Sequence, residues 1–472
     1  MEIKPITTET PENTELKFTF SLNFHEFFDD IKFLITPYKV IKSDKAKQVL
    51  YLTYLKGEWQ LITYVFNCAI FKPIKSGIST YVPESDFLIP LDILQLEKVL
   101  SFYTKEESQK ISTINTVSLD FDFKVKEKSY FLRSITLNVS QSDCDRADNI
   151  NVQKHSLTVL SVDASDILLT LGIFNFDKDY TTYDCADIQH DFKLLLPVLK
   201  DANMGSVEDS LLFSDNIVFA KPKQLGVFLY SPKCAFLNEL TITNSIGSIL
   251  YQLLKDDSFA FYKEIDERAA NSLNPNLCSY LLYFKYKDYQ MVFMHIKNTV
   301  GLMNNRTLFL DELNSYEALP KNKFICSTIS LERALDALDL IRSAGHSNDN
   351  ISLKFSFNFS KDLSNFTVSN YDTKFTKPCA FYDGDTSAND QVDILMNVDI
   401  LKKALLEKNA DSVVVCYEKL ANGRYKLCIT TPEYLSKLKN PEAEVKEPDY
   451  LTDWVTVSTK LSPSTELKEG YR

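Results

Sequence analysis

Apolar and polar residues alternate one by one along much of this chain. Val117, Leu119, Phe121, Phe123 and Val125 interleave with Ser118, Asp120, Asp122 and Lys124. Leu353, Phe355, Phe357 and Phe359 interleave with Lys354, Ser356 and Asn358. A period of two buries one face of a strand and wets the other, which predicts antiparallel sheet. Runs 49–54 and 59–66 flank Lys56-Gly57-Glu58 and predict a hairpin.

Helical periodicity is rarer. Asn23 is placed to cap a helix over 24–34, and Ser330 to cap one over 331–343, with Leu331, Leu335, Leu338 and Ile341 as its apolar stripe. A second helix opening recurs three times, as Asp92-Ile93-Leu94, Ser245-Ile246-Gly247 and Asp399-Ile400-Leu401. The intervals are 153 and 154 residues (92 to 245, then 245 to 399), and each copy follows a strand-like run at 87–91, 240–243 or 393–398. The first helix precedes this opening by 69 residues in the first copy (24 to 93) and in the last (331 to 400). In the middle copy the matching helix lies over 191–202, with Pro197 kinking it or marking a late start, or else over 163–171.

Solenoid units recur at roughly 20–50 residues, so a repeat this long is a whole domain. The expected organisation is three α+β domains at 1–178, 179–318 and 319–461, each ordered strand, helix, strands, helix, strands, then a frayed tail at 462–472. The charged, proline-containing stretch 436–449 predicts an exposed loop before a last strand at 454–461.

The 472 residues suffice for about three domains. With 44% hydrophobic and 25% charged residues the chain reads as a folded protein rather than a disordered one. Only 11 glycines stand against 32 Phe and 24 Tyr, which argues against glycine-rich phosphate loops and for aromatic-filled sheets. Cys68, Cys144, Cys185, Cys234, Cys278, Cys326, Cys379, Cys416 and Cys428 show no C-x-x-C spacing and read as free thiols in a reducing compartment. With no apolar run of about 18 residues and a polar start, the expectation is a cytoplasmic protein with no membrane association. A net charge of −12 repels DNA in general, so nucleic-acid contact requires a local basic surface or topology.

Two segments carry a resemblance. Leu310–Asn322 (LDELNSYEALPKN) is similar to the linker that enters the third domain of the bacterial sliding clamps, with Leu319-Pro320-Lys321-Asn322 matching and the pattern's Gly and first Pro absent. Phe219–Pro232 (FAKPKQLGVFLYSP) occupies the place of the family's Thr-Asp-Gly-His-Arg-Leu-Ala segment and following strand, with Leu225 and Pro232 fitting and Lys221-Pro222-Lys223-Gln224 replacing the signature. In element order the chain resembles this family over 16–461, as a diverged, virus- or phage-encoded member would.

The resemblance implies three clamp domains with antiparallel sheets outside and two helices per domain inside. It implies a ring of two chains around duplex DNA, loaded by a clamp loader and tethering a replicative DNA polymerase. Such a protein is no enzyme and needs no cofactor or metal. The DNA-facing residues would be Lys98, Lys105, Lys110, Arg333, Arg342, Lys402, Lys403 and Lys408, with 400–408 the most basic helix. Glu26, Asp29 and Asp30 outnumber Lys32 on 24–34 and oppose that role. A partner-peptide groove would use Lys223, Gln224, Leu225, Leu319, Pro320, Val455 and Val457. The alternative is a clamp-fold adaptor in transcription or replication that does not encircle DNA, and a poorer reading is a virion scaffold. Among other candidates, 382–390 lacks the sixth-position Gly and terminal Glu of a calcium loop and reads as a polar turn. Cys185 and His190 have nothing to orient them as a nucleophile pair, and the five histidines lack metal spacing.

Overall fold

The alternating stretches fold as antiparallel strands in a computed structural model. It describes residues 14–41, 48–65, 68–108, 112–126, 129–143, 146–162, 164–199, 210–214, 217–220, 227–230, 232–265, 279–296, 317, 319–345, 352–359, 364–370, 373–384, 392–397, 411–419, 421, 425–440 and 454–459.

The chain begins with β1 (Thr14–Asn23), α1 (Phe24–Leu34), α2 (Thr36–Ile41), β2 (Val49–Leu55), β3 (Glu58–Val65), β4 (Cys68–Pro73) and β5 (Ile78–Ser79). It continues through β6 (Phe87–Asp92), α3 (Ile93–Ser108), β7 (Ser112–Lys126), β8 (Ser129–Asp143), β9 (Arg146–Leu157) and α4 (Ala164–Gly172). Then come β10 (Thr181–Asp184), α5 (Cys185–Val198), β11 (Ser210–Ser214), β12 (Ile217–Ala220) and β13 (Val227–Tyr230). These are followed by β14 (Leu240–Thr243), α6 (Asn244–Leu253), β15 (Ser258–Ile265), β16 (Ser279–Tyr286) and β17 (Tyr289–Ile296). The last third holds β18 (Asn322–Ser327), α7 (Thr328–Gly345), β19 (Ser352–Phe359), β20 (Ser364–Asn370), β21 (Thr373–Pro378) and β22 (Ala380–Asp383). It closes with β23 (Val392–Asn397), β24 (Ser412–Lys419), β25 (Tyr425–Thr430), α8 (Pro432–Lys439) and β26 (Trp454–Thr459). The recurring unit is therefore strand, helix, three strands, about half the length of the repeat legible in the sequence.

Backbone proximity divides the chain into two compact units. The first, residues 1–186 and 248–296, holds one sheet ordered β5-β1-β7-β8-β9 and another ordered β10-β15-β16-β17-β4-β3-β2-β6. In the second sheet β4 pairs antiparallel with β17, from Cys68↔Phe293 to Phe71↔Gln290. One face of it is covered by the connector after β9, whose Leu171 and Phe174 are buried among Tyr51, Phe71, Tyr283 and Val292. The β2–β3 turn runs through Lys56 and Gly57, both at positive φ (53° and 89°), as a two-residue hairpin turn requires.

The second unit, residues 187–247 and 297–472, holds a sheet ordered β14-β11-β12-β13-β26-β25-β24-β18-β22 and another ordered β21-β20-β19-β23. Here β13 pairs with β26 through Val227↔Thr456, Phe228↔Val455 and Leu229↔Trp454.

Helix caps explain where the elements begin. Asn23 accepts the Glu26 N–H at 3.1 Å and starts α1 at Phe24, as expected. Asp92 accepts the Gln95 N–H at 2.9 Å and starts α3. Three expectations need correction. The helix expected over 191–202 begins two turns earlier, because the Asp184 side chain takes the Ala186 N–H at 2.8 Å, and Pro197 falls beside its last residue. Its competitor at 163–171 is also a helix, α4, within the connector. Ser330 lies inside α7, which starts at Thr328 after Ser327. Ser436–Lys439, expected as loop, form the last turn of α8, which Thr431 caps by accepting the Tyr434 N–H at 3.3 Å. The third helix opening at Asp399 and the helix expected over 400–408 lie outside the described residues.

One polar network ties α1 to the β16–β17 hairpin. The Tyr289 hydroxyl donates to Asp30 Oδ1 at 2.6 Å, and Phe33 stacks on the Tyr289 ring at 3.7 Å. Lys72 Nζ lies 3.7 Å from Asp30 and 3.4 Å from Asp288, and Lys75 reaches Asp288 at 2.6 Å. Burial holds the Asp30 carboxyl above its ordinary value of 3.8, against the pull of Tyr289 and Lys72. The folded state thus binds this proton more tightly than the unfolded chain. The contribution is fully present below 3.8 and is lost as pH rises through the folded-state value. The stability advantage of wild type over Asp30→Asn should accordingly shrink as pH rises above 3.8, measured by urea denaturation across pH. An advantage that grows with pH would contradict this account.

Candidate nucleic-acid and partner interface

Helix faces decide which basic side chains could meet DNA. On α3, Ile93, Leu96, Leu100 and Tyr103 are buried, which leaves Lys98 and Lys105 exposed with Phe102, itself 56% exposed, between them. Glu97 on the same helix pairs with Lys39 at 2.5 Å. Lys110 lies outside the described residues. On α7, Leu331, Ala334 and Leu335 are buried and Arg333 is exposed, but Glu332 and Asp336 are exposed beside it. Burial and the nearby Asp336 raise the Glu332 carboxyl above its ordinary value. Arg342 belongs to α7, with its side chain outside the described set, as are Lys402, Lys403 and Lys408 altogether.

The acidic count on α1 is smaller than the sequence implied. Asp30 turns inward to Tyr289, Asp29 pairs with Lys32 at 2.8 Å, and Glu26 accepts the Ser76 hydroxyl at 2.7 Å. Helix α6 carries no charged residue, and Lys193 is an exposed cation on α5 that sequence reasoning passed over. Among the described residues these helix faces are close to neutral.

The expected groove residues fall near one another in part. Leu319, 2% exposed, packs in a cluster with Leu212, Phe219, Val414, Cys416, Cys428 and Leu435, and Pro320 beside it is buried. Helix α8, through Leu435, Tyr434 and Leu438, supplies part of this layer, which no sequence signal announced. Lys223, Gln224 and Leu225 lie outside the described residues, immediately before β13. Val455 and Val457 sit on β26, in register with Ile429 and Leu427. Leu319 and Pro320 therefore lie together in a buried layer, and the side chains of Val455 and Val457 lie outside the described set.

The remaining candidates take plain structural roles. Asp383 pairs with Lys439 at 3.1 Å and its own side chain accepts the Gly384 N–H, while 385–391 lie outside the described residues. No group of three or more His, Cys, Asp or Glu is placed to hold a metal among the described residues. The Cys185 thiol is buried at the start of α5 and pushed up to about 11 by that burial, so it rests protonated. No helix among the described residues is long and apolar enough to cross a membrane.

No protein-family model and no curated protein matches the sequence. Solved structures do match. The DNA polymerase III subunit beta of Borrelia burgdorferi is 11% identical, with 94% of this chain and 98% of that one covered at a TM-score of 0.54. The sliding clamp of Bartonella birtlesii, solved bound to griselimycin, is 11% identical, with 94% and 100% covered at 0.55. The DNA polymerase III subunit beta of Pseudomonas aeruginosa is 10% identical, with 94% and 100% covered at 0.53. At such identities the likeness shows the fold, and it extends over nearly the whole of every chain compared. This chain has the α+β fold of the bacterial DNA polymerase III beta subunit, the sliding clamp.

Proposed function

We propose that this protein is a DNA sliding clamp, a non-enzymatic processivity factor that closes around duplex DNA and tethers a replicative DNA polymerase. The observation that carries the reading is the fate of the last strand in each strand–helix–three-strand unit. β4 ends one unit and pairs with β17, which ends another, and β13 pairs with β26 in the same way. β9 and β21 are the two final strands left at a sheet edge. Ile150 and Val152 on β9 are 65% and 46% exposed, apolar surface of the kind a further strand pairing would cover. Two chains joined β9 to β21, twice, leave no such edge, and this supports a homodimeric ring.

The proposed domains are 1–178, 179–318 and 319–461, with 462–472 as a tail; β10 begins at Thr181 and β18 at Asn322, just past the two boundaries. A clamp loader to open the ring, a partner peptide seated by Lys223, Gln224, Leu225, Leu319, Pro320, Val455 and Val457, and a cytoplasmic setting belong to the same reading. A second reading, a clamp-fold adaptor that does not encircle DNA, is favoured by one observation: the near-neutral described faces of α1, α3, α6 and α7.

Three outcomes test these statements. Replacing Ile150 and Val152 together by glutamate should convert a dimer to monomers in sedimentation velocity without loss of helical or strand signal; an unchanged dimer removes β9 from the interface. Charge reversal of Lys402, Lys403 and Lys408 should shorten retention on nicked circular DNA and flatten its loss with salt, since each phosphate contact contributes a slope of about 0.9. No retention of the unaltered protein on the circle would favour the adaptor. Leu319→Ala should lower unfolding stability by about 2–5 kcal/mol in denaturant titration, as for a buried core leucine; a change below about 1 kcal/mol would make Leu319 groove lining rather than core.

A further inference from the structure

We propose that helix α8 is a built-in occupant of the partner groove, holding it closed until a peptide with the same anchors takes its place. This assignment rests on the reading of Leu319 and Pro320 as groove residues, and it adds what controls access to them. A groove open to a ligand leaves its lining exposed. Leu319 is instead 2% exposed, and Pro320 is buried. Helix α8 belongs to the layer that closes them in. It puts the fully buried Leu435 into the Leu319 cluster and rests Tyr434 and Leu438 against it.

The chain order makes α8 an addition that can leave. It lies in the connection between β25 and β26, which pair directly with each other from Tyr425↔Thr459 to Ile429↔Val455. A short hairpin loop suffices to join such neighbours, so the sheet's own pairing does not require the helix. Isolated helices shorter than about 12–15 residues are marginal in water, and α8 has eight. Its helical form therefore depends on its seat. The Lys439–Asp383 pair at 3.1 Å adds little, since its side chains are 47% and 43% exposed. One buried leucine and two half-buried side chains are the main hold.

The seat favours exchange. Thr430 stands in register with Val414, on the face that α8 covers, and its buried hydroxyl has no hydrogen-bond partner among the described residues. The closed form thus covers a polar atom that it does not satisfy, which weakens it. The anchors of α8 define the chemistry of the ligand: a short peptide with an aromatic–leucine pair, a second leucine three residues on, and a cation beside it to meet Asp383. Such a peptide replaces the apolar cover rather than removing it.

The test is fluorescence anisotropy of the full-length protein with a labelled peptide of residues 431–440 (TPEYLSKLKN), followed by hydrogen exchange on the same samples. Ser436 is exposed, so Ser436→Pro breaks α8 without altering its seated side chains. It should tighten peptide binding by between about tenfold and about 150-fold, the upper figure being the change an interior proline makes to a helix population. Lys439→Glu sets two carboxylates against each other at the surface, should tighten binding about two- to fivefold, and decides the matter if Ser436→Pro misfolds. In wild type, the amides of α8 should lose protection as peptide saturates while those of β24 and β25 keep it. The same peptide with serine for both leucines should not bind. The proposal is overturned if wild type and both variants bind the peptide equally, or if bound peptide leaves the protection of α8 unchanged; either result leaves the groove and the clamp standing. Absence of binding to all three proteins overturns it together with the groove, while retention on circular DNA decides the clamp separately.

Discussion

The architecture depends on one kind of contact: antiparallel backbone pairing between the final strands of different units. β4 with β17 and β13 with β26 each extend a four-stranded piece into a longer sheet through main-chain N–H and C=O groups. Such bonds do not read side chains. A fold built on them tolerates almost complete replacement of sequence provided the alternation is kept, consistent with full-length structural likeness at 8–11% identity. The same contact imposes a second requirement. A continuous sheet has two faces, and each junction needs an apolar cover on the face away from the helices that follow its first strands. The connector with Leu171 and Phe174 supplies it for β4 and β17, and Leu319 with Leu435 supplies it beside β24 and β25. Connectors that look like linkers in the sequence are therefore core.

What could be read from sequence divides along the same line. Local signals succeeded: the alternation of 117–125 became β7, Asn23 caps the helix it was expected to cap, the opening at Asp92 begins α3, and Lys56-Gly57 turns the first hairpin. Each depends on residues within one turn of the chain. The middle copy misled because two helices occur where one was sought. Pro197 drew attention to the end of α5, while Asp184, which sets its start, lies thirteen residues earlier. The short strands β5 and β22 left no signal, since two to four residues pairing with a distant strand have no period to detect. The groove residues were the least legible. Val455 and Leu319 look equivalent as apolar letters, yet Leu319 joins a buried layer with Leu212, Phe219 and Leu435, residues far from it in the chain.

Charge sets the final constraint. Over a chain of −12, the described helix faces offer Lys98, Lys105, Lys193 and Arg333 against Glu26, Glu332 and Asp336, with Asp29 and Glu97 paired and Asp30 half-buried against Tyr289. Phosphate attraction of this size is weak, and at physiological ionic strength it is screened within about 8 Å. A protein that held DNA by such contacts alone would release it readily. A closed ring does not need them, because escape then requires breaking strand pairs at an interface rather than displacing counterions. Near-neutral faces are thus compatible with encirclement and incompatible with tight open binding. Residence on DNA would be governed by β9 and β21 more than by any lysine, so the acidic composition that first argued against DNA weighs instead on how DNA could be held.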